Sequence, residues 1–251
     1  MFTIITPTYK RSGEAMRAIT SVCNQTNANF RMIVINDSPE DTTYEDVKNF
    51  CNTDSRITYV VNQENMGVNF SRNRGLLLAD EQSWIIFLDD DDYLAPDALA
   101  HFAHLIETHP RKHWFMTNRV LSDGTPITRA PRAHATYSYA WDYLITKKIT
   151  GDATHCIHKK ILTTATFSKY IKQGEEWIFF YQLGLAENIF YVNHTSTISD
   201  GYGTLNFRAR SRRELFSSWR ALMREGAEKN LLVYPSFLLY MSARLLLLLI
   251  K

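Results

Sequence analysis

Short, nearly continuous apolar runs alternate with amphipathic stretches through the first 110 residues. The runs at 2–6, 31–36, 57–61 and 84–88 predict strands, and the continuous apolar run at 84–88 predicts one buried on both faces of a parallel sheet. Between them, Ala15, Ile19, Val22 and Cys23 recur at helical spacing, as do Val47, Phe50 and Cys51. A third helix is predicted near 68–79, after the turn Asn65-Met66-Gly67. Ser12 reads as the cap of the first helix, and Thr42 with Glu45 reads as a capping box opening the second. Pro96 suits the first turn of a helix after the fourth strand, with Asp97 near its positive end. Unbroken strand–helix alternation predicts an α/β fold with a Rossmann-like, mostly parallel central sheet and right-handed crossovers.

After residue 110 the pattern loosens. Trp114-Phe115-Met116 and the run 189–192 read as strands, while the polar stretch 122–138, with Pro126 and Pro131, reads as an exposed loop. Leu215, Trp219, Leu222 and Met223 mark a helix. The run 231–250 is very apolar and, at about 20 residues, near the length that spans a bilayer. Pro235, Ser242 and Arg244 argue against a clean span. Arg208, Arg210, Arg212, Arg213, Arg220, Arg224 and Lys229 lie upstream. A basic segment beside an apolar one predicts a helix lying on an anionic membrane surface. A core helix or a homodimer interface is the alternative. The chain thus divides into 1–110, 111–205 and a helical extension, 206–251.

Composition narrows the class. The 251 residues are 45% hydrophobic and 22% charged, which is globular, and a net charge of +2 makes no case for nucleic acid. Cys23, Cys51 and Cys156 are odd in number and far apart, as reduced thiols in a cytoplasmic protein would be. The N-terminus enters a strand directly, so no signal peptide is expected. Asn24-Gln25-Thr26 and Asn193-His194-Thr195 fit the glycosylation pattern, but a cytoplasmic chain does not meet that machinery.

The main chemical signal is Asp89-Asp90-Asp91-Asp92, directly after the fourth apolar run. Four adjacent carboxylates cannot be held inside a sheet. They belong at its carboxyl edge, where open α/β folds bind ligands. Such a cluster becomes stable around Mn²⁺ or Mg²⁺, which accept carboxylate oxygen and share their shell with substrate phosphates. A solvated acidic loop is the bland alternative. The chain has ten glycines and lacks both the dinucleotide fingerprint and the phosphate-binding loop, so a metal must do the work of a Gly-rich cradle.

From Ile4 to about Ser199 the chain resembles the family 2 glycosyltransferases of the GT-A fold, mostly bacterial enzymes that build surface polysaccharide. Ile5-Thr6-Pro7-Thr8-Tyr9 is similar to that family's first strand and loop. Ile35-Asn36-Asp37-Ser38 resembles its second strand, whose aspartate holds the nucleotide base. Asn65-x-Gly67 with Arg72-Asn73-x-Gly75 resembles the segment beside the nucleotide. Leu88 to Asp92 resembles the Leu-Asp-x-Asp-Asp metal motif. Where the family has Glu-Asp-Trp, with the aspartate as catalytic base, this chain has Glu175-Glu176-Trp177, so Glu176 takes the base's place, one methylene longer.

The resemblance implies transfer of a sugar from a nucleotide diphosphate, a UDP-sugar by family habit, to a saccharide hydroxyl. The acceptor would be lipid-linked and the enzyme peripheral on the inner face of the plasma membrane. Pro7, Thr8, Tyr9, Asp37, Asn65, Gly67, Arg72, Asp89 and Asp90 would bind the donor. Asp91 would hold the metal, and Asp89 the ribose or a metal-bound water. Asp90 and Asp92 have bland readings as a neutral strand-end and a helix-start carboxylate. Glu176 would take the acceptor proton, and one base opposite the leaving group implies inversion. Asp152, His155, His158, Glu175 and Trp177 would face the acceptor, and His194 the metal or the diphosphate. Two competitors remain: a sugar nucleotidyltransferase, with Lys10 and Arg11 on a triphosphate, and a non-catalytic nucleotide-sugar-binding subunit. Tyr93 disfavours an Asp-x-Asp phosphatase.

Overall fold

The computed structural model describes residues 1–200 and 211–250. Strands β1 (Phe2–Thr8), β2 (Phe30–Asn36), β3 (Ile57–Val61) and β4 (Trp84–Phe87) pair in parallel in the order β3-β2-β1-β4. The connections are α1 (Ser12–Cys23), α2 (Tyr44–Asn52) and α3 (Val68–Leu78). The apolar runs of β1, β2 and β4 are continuous because both sheet faces are covered there, while the edge strand β3 is partly exposed. Ile5, Ile33, Ile35 and Ile85 enter one core, and Ile4, Met32, Val34 and Ile86 enter the other.

The second half extends the same sheet. β8 (Ala153–His158) runs antiparallel between β4 and β6 (Trp114–Leu121), and β9 (Ile189–Ser199) runs parallel to β6. β5 (Asp92–Leu94) and β7 (Ala135–Tyr137) are antiparallel to β9. Three expectations change here. Residues 153–158 form a central strand, the stretch 122–138 contains β7, and Asp92 opens a strand where a helix start was expected. Pairing with β9 keeps the chain extended through Leu94, so Pro96 precedes α4 (Ala98–Thr108) without entering it.

Two predicted caps do not form. Ser12 is the first residue of α1, and the cap position, Arg11, makes no side-chain capping bond. Asp41 accepts from the Thr43 amide at 3.0 Å and its hydroxyl at 2.7 Å, closing a local turn that starts α2 at Tyr44. The Thr42–Glu45 box is therefore absent.

The extension is a helix pair, α6 (Arg212–Glu228) and α7 (Pro235–Ile250). Ser211 and Glu214 cap α6 reciprocally. Leu231, Phe237 and Met241 are buried in the same core as Leu222 and as Trp177 and Tyr181 of α5 (Trp177–Gly184). At Gly226 a Cβ would lie 2.6 Å from the Phe237 ring, so the close crossing of α6 and α7 needs a glycine there. One face of the apolar run is thus core, while Leu238, Leu239, Leu246 and Leu247 are exposed. No described helix is long and apolar enough to cross a membrane. Arg208, Arg210 and the 205/206 boundary lie outside the described residues.

Candidate active site

The loops after β1, β2, β3 and β4 bring Tyr9, Asp37, Asn65 and the aspartates to one edge of the sheet. Pro7 and Thr8 remain in β1, paired with Ile35 and Asn36, two residues beyond the expected strand end. Thr8 Oγ1 is 2.6 Å from the Tyr44 hydroxyl, which accepts from the Arg11 amide at 2.9 Å. Tyr9 and Asn65 are exposed at the mouth, and Asn65 followed by Lys10 lowers the Tyr9 hydroxyl pKa.

Asp37 is buried and holds the next loop. Its Oδ1 accepts from Asn62 Nδ2 at 2.7 Å and the Met66 amide at 2.8 Å, and its Oδ2 from the Gly67 amide at 2.7 Å. Gly67 has φ 91°, and a Cβ there would lie 2.7 Å from Lys172. The turn therefore requires glycine, and Asp37 fixes it against the loop 171–174.

Each of the four aspartates meets an arginine. Arg11 Nη1 is 2.8 Å from Asp91 Oδ2 and 3.3 Å from Asp90 Oδ1. Asp90 also accepts from the Tyr9 amide at 3.3 Å. Burial pushes the Asp90 carboxyl up to about 6, against the pull of Arg11. Buried Asp92 pairs with Arg119 of β6, which also lies 3.8 Å from Asp89 Oδ2 and 3.9 Å from Asp152 Oδ2. Asp92 is thus a structural anchor for β5.

Arg72 of α3 is buried beneath this cluster. Its Nη2 donates to Asp89 Oδ1 at 2.6 Å and its Nη1 to Glu176 Oε1 at 3.0 Å. Burial opposes the Arg72 charge, yet the two carboxylates outweigh it and raise its pKa. Burial likewise opposes the Asp89 charge, and Arg72 and Arg119 overcome it, lowering that pKa. A planar fork between two carboxylates fixes both positions at once. Glu176 stands at the N-cap of α5, makes no capping bond there, and is 39% exposed in its side chain. Asp152 is exposed beside the same network, and desolvation followed by Asp89 and Glu176 raises its carboxyl against Arg119.

Other expected site residues have structural partners. His155 lies in β8, where its Nδ1 is 3.1 Å from the donating Trp114 Nε1 and its ring is 4.4 Å from Phe180. Burial lowers its pKa to about 3. His158 packs edge-on to Trp84 and accepts from the Lys160 amide at 3.1 Å. His194 stacks on His101 at 3.7 Å and lies 3.6 Å from Asp97, so its partners are residues of α4 and its N-cap. Trp177 is buried, and Glu175 accepts from its indole at 2.7 Å. The places of His155 and His158 follow from β8 being a central strand, that of His194 from β9 packing on α4, and those of Glu175 and Trp177 from α5 being covered by α7. Arg119, Asn62 and Arg244 escape a reading of the sequence, because each is a single polar residue whose partner is remote along the chain.

The residues fit a divalent cation of a particular kind. Among the described residues no three His, Cys, Asp or Glu side chains converge in a metal-binding cluster. Asp91 and Asp89 offer hard oxygen donors at the cleft, 19% and 35% exposed in their side chains. An ion held there takes one or two carboxylates and completes its shell with water and phosphate, as Mg²⁺ commonly does. Arg11 competes for the same Asp91 oxygen.

Residues 3–169 match the model of the family described as glycosyl transferase family 2. An uncharacterized glycosyltransferase of Haemophilus influenzae is 33% identical over 111 residues, 44% of this chain. The chain spans only 36% of the length of that protein. The GalNAc(5)-diNAcBac-PP-undecaprenol beta-1,3-glucosyltransferase of Campylobacter jejuni is 28% identical over 206 residues, 76% of this chain and 61% of its own. The crystal structure of S. aureus TarS 1-349 in complex with UDP-GlcNAc superposes with a TM-score of 0.69 over 88% of this chain and 65% of that one. At 19% identity that likeness is one of fold, the GT-A fold. With a match that runs from β1 past β8 and takes in the aspartate run, the chain belongs to glycosyl transferase family 2.

Proposed function

We propose that this chain is an inverting, metal-dependent glycosyltransferase that moves a sugar from a UDP-sugar to a hydroxyl of a lipid-linked saccharide in bacterial surface polysaccharide synthesis. The observation that carries the reading is the shared grip of Arg72 on Asp89 and Glu176, a donor-side and an acceptor-side carboxylate. The UDP-GlcNAc named in the TarS complex and the undecaprenol-linked saccharide in the Campylobacter name support the two substrate classes.

In this reading residues 1–110 bind the donor and 111–205 the acceptor. Tyr9, Asn65 and Gly67 border the nucleotide, and Asp37 accepts from the base through the capacity left on Oδ2. Asp91, aided by Asp89, would hold Mn²⁺ or Mg²⁺, which when bound supplies Lewis acidity to the diphosphate. Arg11, released from Asp91, turns to the diphosphate charge. Glu176 takes the proton of the acceptor hydroxyl as its oxygen attacks the anomeric carbon and the bond to the diphosphate oxygen breaks. Attack opposite the leaving group inverts that carbon. The basic face of α6 and the exposed leucines of α7 rest on an anionic membrane on the cytoplasmic side. A nucleotidyltransferase is the weaker reading, because it leaves the cleft carboxylate Glu176, held by Arg72, without a task.

A melting-temperature panel tests this, since a ligand that binds only the native state raises its stability. UDP-sugars with Mn²⁺ should protect the wild type, and Asp91→Asn should remove the metal-dependent part. Equal protection of Asp91→Asn, or none by any UDP-sugar, overturns the reading.

A further inference from the structure

The residue before the candidate base is tied to the C-terminal helix. Glu175 has φ 62° and follows Gly174 at φ 76°, so two successive residues take the left-handed conformation. For a glutamate that conformation is costly. Its side chain is 7% exposed and faces Arg244 of α7. Arg244 Nη1 donates to Glu175 Oε2 at 2.6 Å and Nη2 to Oε1 at 2.8 Å, a two-pronged pair. The Trp177 indole donates to the same Oε2, and the Arg244 guanidinium lies 5.7 Å from the Trp177 ring. Residues 175 and 177 are therefore clamped on both sides of Glu176. With its flanks fixed, the Glu176 carboxylate can reach Arg72.

We infer that Arg244 is a positioning residue, holding Glu175 in its left-handed conformation and so setting the place of Glu176 in the cleft. The role rests on the proposal that Glu176 is the base. It makes α7 a working part of the site and not a detachable anchor. Arg244 pairs with Glu175 and lies over the Trp177 and Tyr240 rings, so its loss should act on the acceptor side alone.

The test compares Arg244→Leu, Arg244→Lys, and the double variant Glu175→Gly with Arg244→Leu. Glycine accepts φ near 62° without an ion pair, so the double variant keeps the backbone and removes both buried charges. Amide hydrogen exchange in the peptide 171–180 reads the positioning directly and needs no substrate. Arg244→Leu should exchange there at least tenfold faster than wild type, while 62–75 is unchanged. Arg244→Lys should be intermediate, and the double variant should return toward wild type. UDP affinity in Mn²⁺ should stay within about twofold in all three, while UDP release from UDP-GlcNAc or UDP-glucose follows the exchange result. Unchanged exchange at 171–180 in Arg244→Leu overturns the positioning role, as does equal loss of UDP affinity. If Arg244→Leu does not fold, the double variant decides: native exchange at 171–180 supports the role, and fast exchange despite a folded core overturns it. Fast exchange in Arg244→Leu with a silent Glu176→Gln would instead overturn the assignment of the base and leave the clamp standing.

Discussion

Arg72 Nη1 lies 3.0 Å from Glu176 Oε1, although the two residues are 104 positions apart in the chain. The same guanidinium holds Asp89 at 2.6 Å, so the proposed donor and acceptor sides of the cleft share one buried cation. Arg72→Met leaves both carboxylates without that cation. Stability should fall by about 2–3 kcal/mol, below the range for a fully buried pair because Asp89 and Glu176 are partly solvated. Turnover should fall with it. Arg72→Lys should recover little, since an ammonium cannot fork to two carboxylates. Thermal melts and UDP release check this, and a fully active lysine variant contradicts it.

Glu176→Gln should bind UDP and Mn²⁺ about as well as wild type and lose transfer by ~10²-fold or more, the usual share of a general base. The amide oxygen still accepts from Arg72, so the cleft keeps its shape while the proton acceptor is gone. Glu176→Asp shortens the reach by one methylene and should be impaired less. Single-turnover transfer measured beside UDP affinity separates the two effects. An active glutamine variant would point to Asp152 as the base.

The tail has two faces with opposite predictions. Phe237 is fully buried, so Phe237→Ala should cost about 3–5 kcal/mol. Leu247 is 60% exposed, so Leu247→Glu should change stability by no more than about 0.5 kcal/mol while weakening binding to anionic vesicles. Deleting residues 231–251 should therefore unfold the core around Trp177 as well as release the chain from lipid. Unaltered vesicle binding in Leu247→Glu counts against the membrane surface.

His155 makes the fold acid-sensitive. Burial holds its pKa at about 3, well below the ordinary value near 6.5. The unfolded chain then binds a proton that the folded chain refuses as pH falls from about 6.5 toward 3. Stability contributed by the neutral ring is present above that window and is lost on descending through it. At pH 5 the loss is at most about 2 kcal/mol. Chemical denaturation at pH 7 and pH 5 should show a shallower decline in His155→Gln, even if that variant is less stable at both. An identical pH slope contradicts the buried neutral histidine.

Periodicity and covalent adjacency made much of this chain legible from its sequence. Strands β1, β2 and β4 announce themselves because they are covered on both faces and so read as apolar runs. Asp89 to Asp92 are neighbours in the chain, so their repulsion, and the sheet edge it requires, can be argued before any fold is known. What the sequence could not decide is which charges meet. Arg119 with Asp92, Arg244 with Glu175, and Asp37 with the Met66 and Gly67 amides are contacts made only when separate elements pack. β8 was hidden for a related reason: Thr154-His155-Cys156 looks polar in part, yet Trp114 supplies the hydrogen-bond partner that lets His155 be buried. The caps at Ser12 and Thr42 failed because local signals worth about 1 kcal/mol yield to packing and turn contacts that only the tertiary structure brings into being.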